Sequence, residues 1–518
     1  MPSSAASPIA VPGLRRNMVT ICAMTATIMQ ALDTTIANVA LPYMQGTLSA
    51  SQDQINWVLT SYIVAAAIMT APVGWIANRF GRKRIFILCS GGFTVASVLC
   101  GLAQDINQMV LFRLLQGMFG AALVPLSQAV MLDSDALHER AKAMSIWGMG
   151  VMMGPIMGPS LGAWLTETYS WHWVFFVNLP FGIFTVLGLM VFMDETGKNR
   201  ELRFDWFGFL ALAVGIGALQ IALDRGEQLG WLESNEIIAE FIISIIGFYY
   251  FFAHSLTTPT PFVQFAIFKD KNFVGGCVFM AVMGLVLFST MAVSSPFLQN
   301  VIGYPIITAG LLLATRGCGT FVAMMMVGRL MRYIEARTLI VSGLSLTCLS
   351  LFYMTGWTDQ TGVPEIVVVS VAQGFGFGLV FVPLSTVAFL TLPNHLRTDG
   401  TAMLTLMRNV ASSIGISVVI AQLTEGSRRV YAVLSQHVNP FNHAMQMPDV
   451  RGMIDMGTDK GRAMMDAIVN LQAQIIAFSQ DYQMVMIFTL CAIPLAIMIG
   501  STKAALRKQL IPEHAVIE

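Results

Sequence analysis

The sequence predicts an all-α integral membrane protein with fourteen transmembrane helices, and three observations carry that reading. Fourteen apolar stretches are each long enough to cross a bilayer core, which takes about 20 helical residues. Positive charge alternates between the loops that join them. A short glycine-rich pattern in the fourth stretch returns in the twelfth. The expected spans are 18–40, 55–77, 85–103, 108–132, 142–165, 173–193, 206–224, 235–255, 272–298, 307–331, 338–356, 365–391, 400–424 and 484–502.

The charge pattern orients these spans. The N-terminal tail, the loops after even-numbered spans and the C-terminal tail hold 20 of the 29 Lys and Arg residues, beginning with Arg15, Arg16, Arg79, Arg82, Lys83 and Arg84. The short loops on the other side hold only Arg225. Segment 425–483 holds five more, but long loops escape the positive-inside rule. Arg113, Arg316 and Arg408 lie inside spans. Both termini are therefore expected in the cytoplasm, with 425–483 outside. Residues 1–16 read as a disordered tail and 503–518 as a second cytoplasmic tail. Arg15-Arg16 precedes an apolar run with no small-x-small cleavage site, so it reads as the anchor of an uncleaved first span rather than a twin-arginine signal.

Composition excludes several classes. The chain is 55% hydrophobic and 11% charged, about half the charge of a typical soluble domain. Its net charge is +0, which leaves no electrostatic case for nucleic acid. The seven cysteines all fall within expected spans and form no CxxC, so they read as packing residues and not as a disulfide framework or metal site. The 35 methionines and 33 phenylalanines serve as filler and lipid contact, or as a deformable pocket for varied apolar ligands. No Walker lysine loop appears, so no ATP-driven step is expected, and no cofactor or metal is called for. No His, Cys or carboxylate cluster supports an enzyme.

The repeat divides the chain. Residues 116–127 (QGMFGAALVPLS) match 373–385 (QGFGFGLVFVPLS) with one extra residue. The loop from Gly74 to Arg84 is echoed from Gly328 to Arg337. Span 2 thus maps to span 10 and span 4 to span 12. Two six-helix halves, 17–193 and 272–502, with two inserted helices in 206–255, give that offset of eight.

Several motifs resemble one family in order along the chain. Residues 74–84 (GWIANRFGRKR) resemble the major facilitator loop motif after span 2. Residues 111–117 (LFRLLQG) resemble its span-4 arginine motif, and 150–162 (GVMMGPIMGPSLG) its span-5 antiporter motif. Residues 32–42 (LDTTIANVALP), 171–180 (WHWVFFVNLP) and 223–226 (LDRG) look like the fourteen-span drug:proton antiporter branch. HVNPFN at 437–442 looks like the Emr-type permeases within it. The resemblance implies a major facilitator fold: parallel six-helix halves with the substrate site between them. It also implies a proton-coupled exporter of hydrophobic or amphipathic drugs across the bacterial inner membrane, and a periplasmic adaptor leading to an outer-membrane channel. The competing transporter reading is a proton-coupled carrier of one defined metabolite or fatty-acid-like compound.

Asp33 is the strongest candidate residue for coupling. It is the only carboxylate expected deep in a span, where an ionised Asp costs at least ~2.5–3.5 kcal/mol. It lies about 10 Å from the outer end of span 1, and Arg113 lies about 8 Å from the outer end of span 4, at 1.5 Å per residue. They can therefore meet where the two helices adjoin. Burial disfavours the carboxylate and a nearby arginine favours it. The pair is thus either a permanent structural bridge or a site that binds and releases a proton as the arginine moves.

Gln116, Arg316, Gln373 and Arg408 are the candidates for the substrate cavity. Arg316 and Arg408 have no expected acidic partner in their half. They bind carbonyls and hydroxyls such as those of Asn409, Ser412 and Ser413, face water, or attract an anion. Gly150, Gly154, Pro155, Gly158 and Gly162 predict close helix packing and a bend in span 5. By resemblance, that helix seals the cavity on one side, which favours export. Gly74, Asn78, Arg79, Gly81 and Arg82 form either an ordinary inside-positive loop or a latch between the halves. Asn78 stands where the family has an acid, which is expected to weaken the latch's interaction with a helix end.

Segment 425–483 is long for a connection. Met464, Ile468, Leu471, Ile475 and Phe478 fall on one side of a helix over 460–480, which predicts an amphipathic helix on the outer membrane surface or against a partner.

Overall fold

The structure, a computed structural model, describes residues 13–134, 140–195, 197–198, 203–258, 261–393, 396–438 and 457–496. Most of the N-terminal tail, the C-terminal tail 503–518 and positions 439–442 of the HVNPFN motif lie outside these residues, as does the side chain of Pro155. Every regular element among the described residues is helical.

Helix ends follow from local chemistry. Ser51 and Gln54 form a reciprocal capping box on α2 (Gln52–Thr70), and Asp105 caps α5 (Ile106–Gly120). Asp205 caps α10 (Trp206–Leu229), Asp270 caps α12 (Lys271–Pro296) and Thr458 caps α17 (Asp459–Leu495). The second expected span bends by 56° at Ala71-Pro72 into α2 and α3 (Val73–Phe80), as proline dictates.

The helices pair in a pattern that repeats. α1 (Gly13–Thr47) packs on α7 (Arg140–Thr168), and eight spans later α12 packs on α16 (Arg397–Gln436). α2 packs on α5 as α13 (Ile306–Leu330) packs on α15 (Val363–Ala388). α4 (Arg82–Gly101) packs on α5 and α9 (Asn178–Phe192) as α14 (Ala336–Met354) packs on α15 and α17. The glycine after each repeated glutamine sits on the same kind of neighbour. Gly117 meets the backbone of Tyr62 on α2, and Gly374 meets that of Arg316 on α13. The two bundles join along α7–α13 and where α16 crosses α2, α3 and α6 (Leu123–Ser134). α10 and α11 (Asn235–Thr257) pack on each other, and α10 touches both α2 and α16.

Twelve helices among the described residues are long and apolar enough to cross a membrane, or thirteen with the bent α2–α3 pair. The count differs from the expected fourteen at α7. It fills the place of the fifth span with 29 residues, but its glycines and serines keep it below the apolarity of the others.

The larger difference lies at 425–483. α16 has 40 residues and α17 has 37, about 60 and 56 Å at the helical rise, against a bilayer core of about 30 Å. The two helices run on as a packed pair beyond the expected ends of their spans. Residues 460–480 are therefore the first half of α17 rather than a separate surface helix. Their apolar stripe is graded: Ile475 and Phe478 are buried, while Met464 and Ile468 are exposed. The cysteines also divide, with Cys22, Cys89, Cys100 and Cys277 buried and Cys318 and Cys491 exposed.

Candidate functional site

Asp33 and Arg113 do meet. Arg113 Nη1 donates to Asp33 Oδ2 at 2.7 Å, and both side chains are excluded from solvent. Gln116 Nε2 donates to Asp33 Oδ1 at 2.7 Å, and Asn178 Nδ2 reaches the same oxygen at 3.3 Å. The guanidinium is held in turn. Its Nε donates to the carbonyl of Val58 at 3.0 Å, and Nη1 donates to Gln116 Oε1 at 2.8 Å. The Tyr62 ring lies 4.3 Å from the guanidinium carbon, within cation–π range. Ser97 accepts from Asn178 at 3.0 Å and donates to the Phe175 carbonyl at 2.9 Å. Five helices, α1, α2, α4, α5 and α9, thus converge on one carboxylate. Every donor aimed at it stabilises its charged form.

Asn178, Tyr62 and Ser97 escaped the sequence reading. Asn178 lies in the WHWVFFVNLP stretch, whose one amide between apolar residues was the available signal. Nothing in the sequence marks Tyr62 or Ser97.

α7 fixes the position of α1. A Cβ on Gly154 would sit 2.1 Å from the Ala31 carbonyl, and one on Gly158 would sit 2.0 Å from Thr35 Oγ1. Gly150 and Gly162 face the same helix at Met24 and Ile36. Thr35 Oγ1 donates to the Gly154 carbonyl at 3.0 Å. The glycine series is therefore the groove that receives the Asp33-bearing helix.

The other bundle is organised differently. Arg316 is 5% exposed and its Nη2 lies 3.4 Å from Ser294 Oγ, while Nε and Nη1 have no hydrogen-bond partner among the described residues. Gln373 is fully buried, and neither of its side-chain polar atoms has a partner among the described residues. Arg408 is half-buried and donates to Asn409 Oδ1 at 3.3 and 3.2 Å, while Ser412 donates to the Arg408 carbonyl at 2.7 Å. Arg316 and Arg408 are not brought together with Asp33. Asp481 corrects the expectation of a single buried carboxylate. It lies on α17, is fully buried, and both of its oxygens lack a hydrogen-bond partner among the described residues.

At the basic end the latch residues contact the other bundle. A Cβ on Gly74 would collide with Asp399 on α16, and Asn78 Nδ2 lies 3.5 Å from Asp399 Oδ2. Arg82 pairs with Asp133 on α6, and Arg397 on α16 donates to the other oxygen of Asp133 at 2.7 Å. The acid missing at Asn78 is thus supplied by Asp133, which pairs with two arginines, and by Asp399, whose burial pushes its carboxyl up to about 7; the sequence reading passed over both as loop residues. Gly81 makes the turn into α4 at φ +97°, a conformation that favours glycine. Arg79 closes α3 beside it.

Two pseudo-repeated helical bundles with buried charge at their centres define a membrane transporter. The chain belongs to the major facilitator superfamily, whose family model matches residues 23–416. It is 33% identical to the multidrug export protein EmrB of Escherichia coli K12 over 438 residues, 83% of this chain and 84% of that one. It is 32% identical to the fatty acid resistance protein FarB of Neisseria gonorrhoeae over 419 residues, 80% of this chain and 82% of that one. Among solved structures it resembles the proton:xylose symporter XylE, with a TM-score of 0.58 at 12% identity over 94% of this chain and 99% of that one. A bacterial homologue of the lysosomal transporter Spinster gives 0.55 at 16% identity over 94% and 98%. At these identities the solved structures speak to fold alone.

Proposed function

We propose that this protein is a proton-driven exporter of hydrophobic and amphipathic toxic compounds, working by alternating access in a bacterial inner membrane. The observation that carries the reading is the solvent-excluded Asp33 carboxylate held by Arg113, Gln116 and Asn178. Its donors come from α5 and α9, while Asp33 itself sits on α1 in the α7 groove. A shift of α1 and α7 relative to α5 removes those donors from an ion that cannot stay charged alone in the membrane. The carboxyl then takes a proton from the outer side. Restoring the pair expels the proton to the inner side and resets the cavity. The names of EmrB and FarB relatives support export of drugs and lipophilic toxins. The excess of Lys and Arg at one end of the bundle supports cytoplasmic termini.

The α16–α17 pair extends this reading to a partner. It projects beyond the bilayer thickness and carries exposed Met464 and Ile468 near its tip. A periplasmic adaptor delivering substrate to an outer-membrane channel is the partner we assign to it.

Purified protein in liposomes with an imposed pH gradient tests the exporter reading. A lipophilic dye should move against its own gradient only while the proton gradient lasts. Dye movement indifferent to the gradient would remove proton coupling from the account.

A further inference from the structure

Arg316 is a buried cation with no ion-pair partner among the described residues. It lines a cavity of about 20 Å³ whose other walls include Met152 and Ile156 of α7, Leu287 and Met291 of α12, and Leu313 of α13. That is room for about one water, far below the roughly 300–1,000 Å³ of small-molecule sites, so in this conformation the seam is closed on Arg316. The cavity straddles the seam between the two bundles, because Met152 and Ile156 belong to one and Arg316 to the other. A Cβ on Gly317 would lie 1.9 Å from Ile156, so the seam is closed tightly at the cavity's edge.

The polar inventory of this site is lopsided. Thr320, the other polar residue of the lining, already donates its hydroxyl to the carbonyls of Arg316 and Gly374. Ser294 is 3.4 Å from Arg316 Nη2 and 3.3 Å from the Tyr482 hydroxyl. Nε and Nη1 of Arg316 remain without acceptors. No carboxylate lines the cavity. Asp33, the acid of the other bundle, is committed to Arg113. An arginine does not shed its proton in a protein, so its charge persists. Nε and Nη1 lie on different edges of the guanidinium, each offers a charge-assisted N–H to a carboxylate or sulfonate, and the loosely held Nη2 completes a fork with either one. Methionine and aliphatic walls adapt to a variable apolar body.

We propose that Arg316 receives the anionic headgroup of the transported compound, so that the preferred substrates are amphipathic monoanions rather than lipophilic cations. This rests on the exporter reading above and names the substrate class of that site. Ser294 and the Tyr482 hydroxyl lie behind the guanidinium and position it. Once the seam opens, the apolar body of the substrate lies against Met152, Ile156 and Met291. Expelling one such anion for one entering proton moves two charges in the same electrical direction. Export of the anion therefore responds to membrane potential more steeply than export of a neutral compound.

The test uses the full chain in phosphatidylcholine nanodiscs and three probes of one chain length: laurate, lauramide and dodecyltrimethylammonium. A charge-assisted pair to the guanidinium should make laurate bind at least about tenfold tighter than lauramide, with the cation weakest. In R316Q the laurate-to-lauramide affinity ratio should fall to about one, and R316K should keep part of it, since an ammonium offers charge without the fork. Thermal unfolding checks that the variants are folded, and the three-probe ranking on the native protein stands without them. Equal binding of the three probes, tighter binding of the cation, or a laurate preference that survives in folded R316Q overturns the proposal. Displacement of laurate by phosphatidylglycerol would assign Arg316 to a lipid headgroup and overturn it as well. Proton-driven efflux of a neutral dye, read in liposomes of the same protein, separates the two levels. Its absence strikes the exporter reading, and its presence without a headgroup preference strikes only this inference.

Discussion

Asp33 on α1 and Arg113 on α5 form a 2.7 Å ion pair in which neither side chain is more than 1% exposed. Breaking a buried pair by removing one partner costs about 3–5 kcal/mol, because the other charge is left without compensation. The pair also differs from a simple bridge. Gln116 and Asn178 share one oxygen of Asp33, and Val58 and Tyr62 hold the arginine. The donors gathered on this one carboxylate favour its charged form, as the coupling role proposed for it requires in one state of the cycle.

Arginine at 113 is needed for its shape as well as its charge. Its Nε serves Val58 while Nη1 serves Asp33 and Gln116. A lysine has one compact ammonium and cannot reach all three. R113K should insert and fold, yet lower the initial rate of proton-driven dye efflux by roughly tenfold or more, the loss of one to two charge-assisted hydrogen bonds. A rate within twofold of the native protein would show that charge alone suffices.

The α1–α7 groove makes a graded prediction. Gly154 has no room for a methyl group against the Ala31 backbone, whereas Gly150 faces the flexible end of Met24 at 3.2 Å. Overpacking costs about 1–3 kcal/mol where the neighbour cannot yield. G154A should lower the thermal unfolding midpoint by several degrees and reduce efflux, and G150A should leave both near native values. Equal tolerance of the two substitutions contradicts the close approach of α1 to Gly154.

The latch predicts a conformational shift. Asp133 joins Arg82 and Arg397 across the two bundles. Its carboxylate is 31% exposed, so its contribution falls between the ~0–1 kcal/mol of a surface pair and the ~3–5 kcal/mol of a buried one. D133N should shift the population toward states open at the basic end. Spin labels at Phe80 and Tyr333, both exposed, report this as a longer and broader distance distribution. An unchanged distribution would assign closure of that end to other contacts.

The projecting helix pair is expected to act outside the transport cycle. Replacing 432–470 by a short Gly/Ser bridge keeps Phe478 and Tyr482, whose rings pack on Phe297 and Trp357. Substrate binding by the isolated protein should persist, and resistance of whole cells should disappear. Resistance that survives at normal expression removes the adaptor from the account.

How far the site could be read from the sequence depended on whether depth alone selected a partner. Asp33 and Arg113 were matched because each stands alone at a similar distance from the same membrane face. The Asp133–Arg397 and Asn78–Asp399 contacts were hidden because all four residues sit near span ends, where many partners are sterically open and tertiary packing chooses. Hydropathy marked the fourteen apolar stretches but not the ends of α16 and α17. Glu425, Arg428, Arg429, Lys460 and Arg462 end the apolar pattern without ending the helix, because charged side chains with good helix propensity continue it in water. Asp481 was read as a loop residue for the same reason. The glycine stripe of α7 was legible as close packing, while its partner α1 became visible only in the fold.

Asp33→Asn tests the central claim most directly. The amide keeps the size of the side chain and removes its ability to carry a proton. Native and D33N proteins are reconstituted into liposomes, and uphill dye transport is followed under an imposed pH gradient alongside downhill dye exchange without one. The account predicts that D33N loses uphill transport while keeping insertion and some downhill exchange. Undiminished gradient-driven transport by D33N would contradict it.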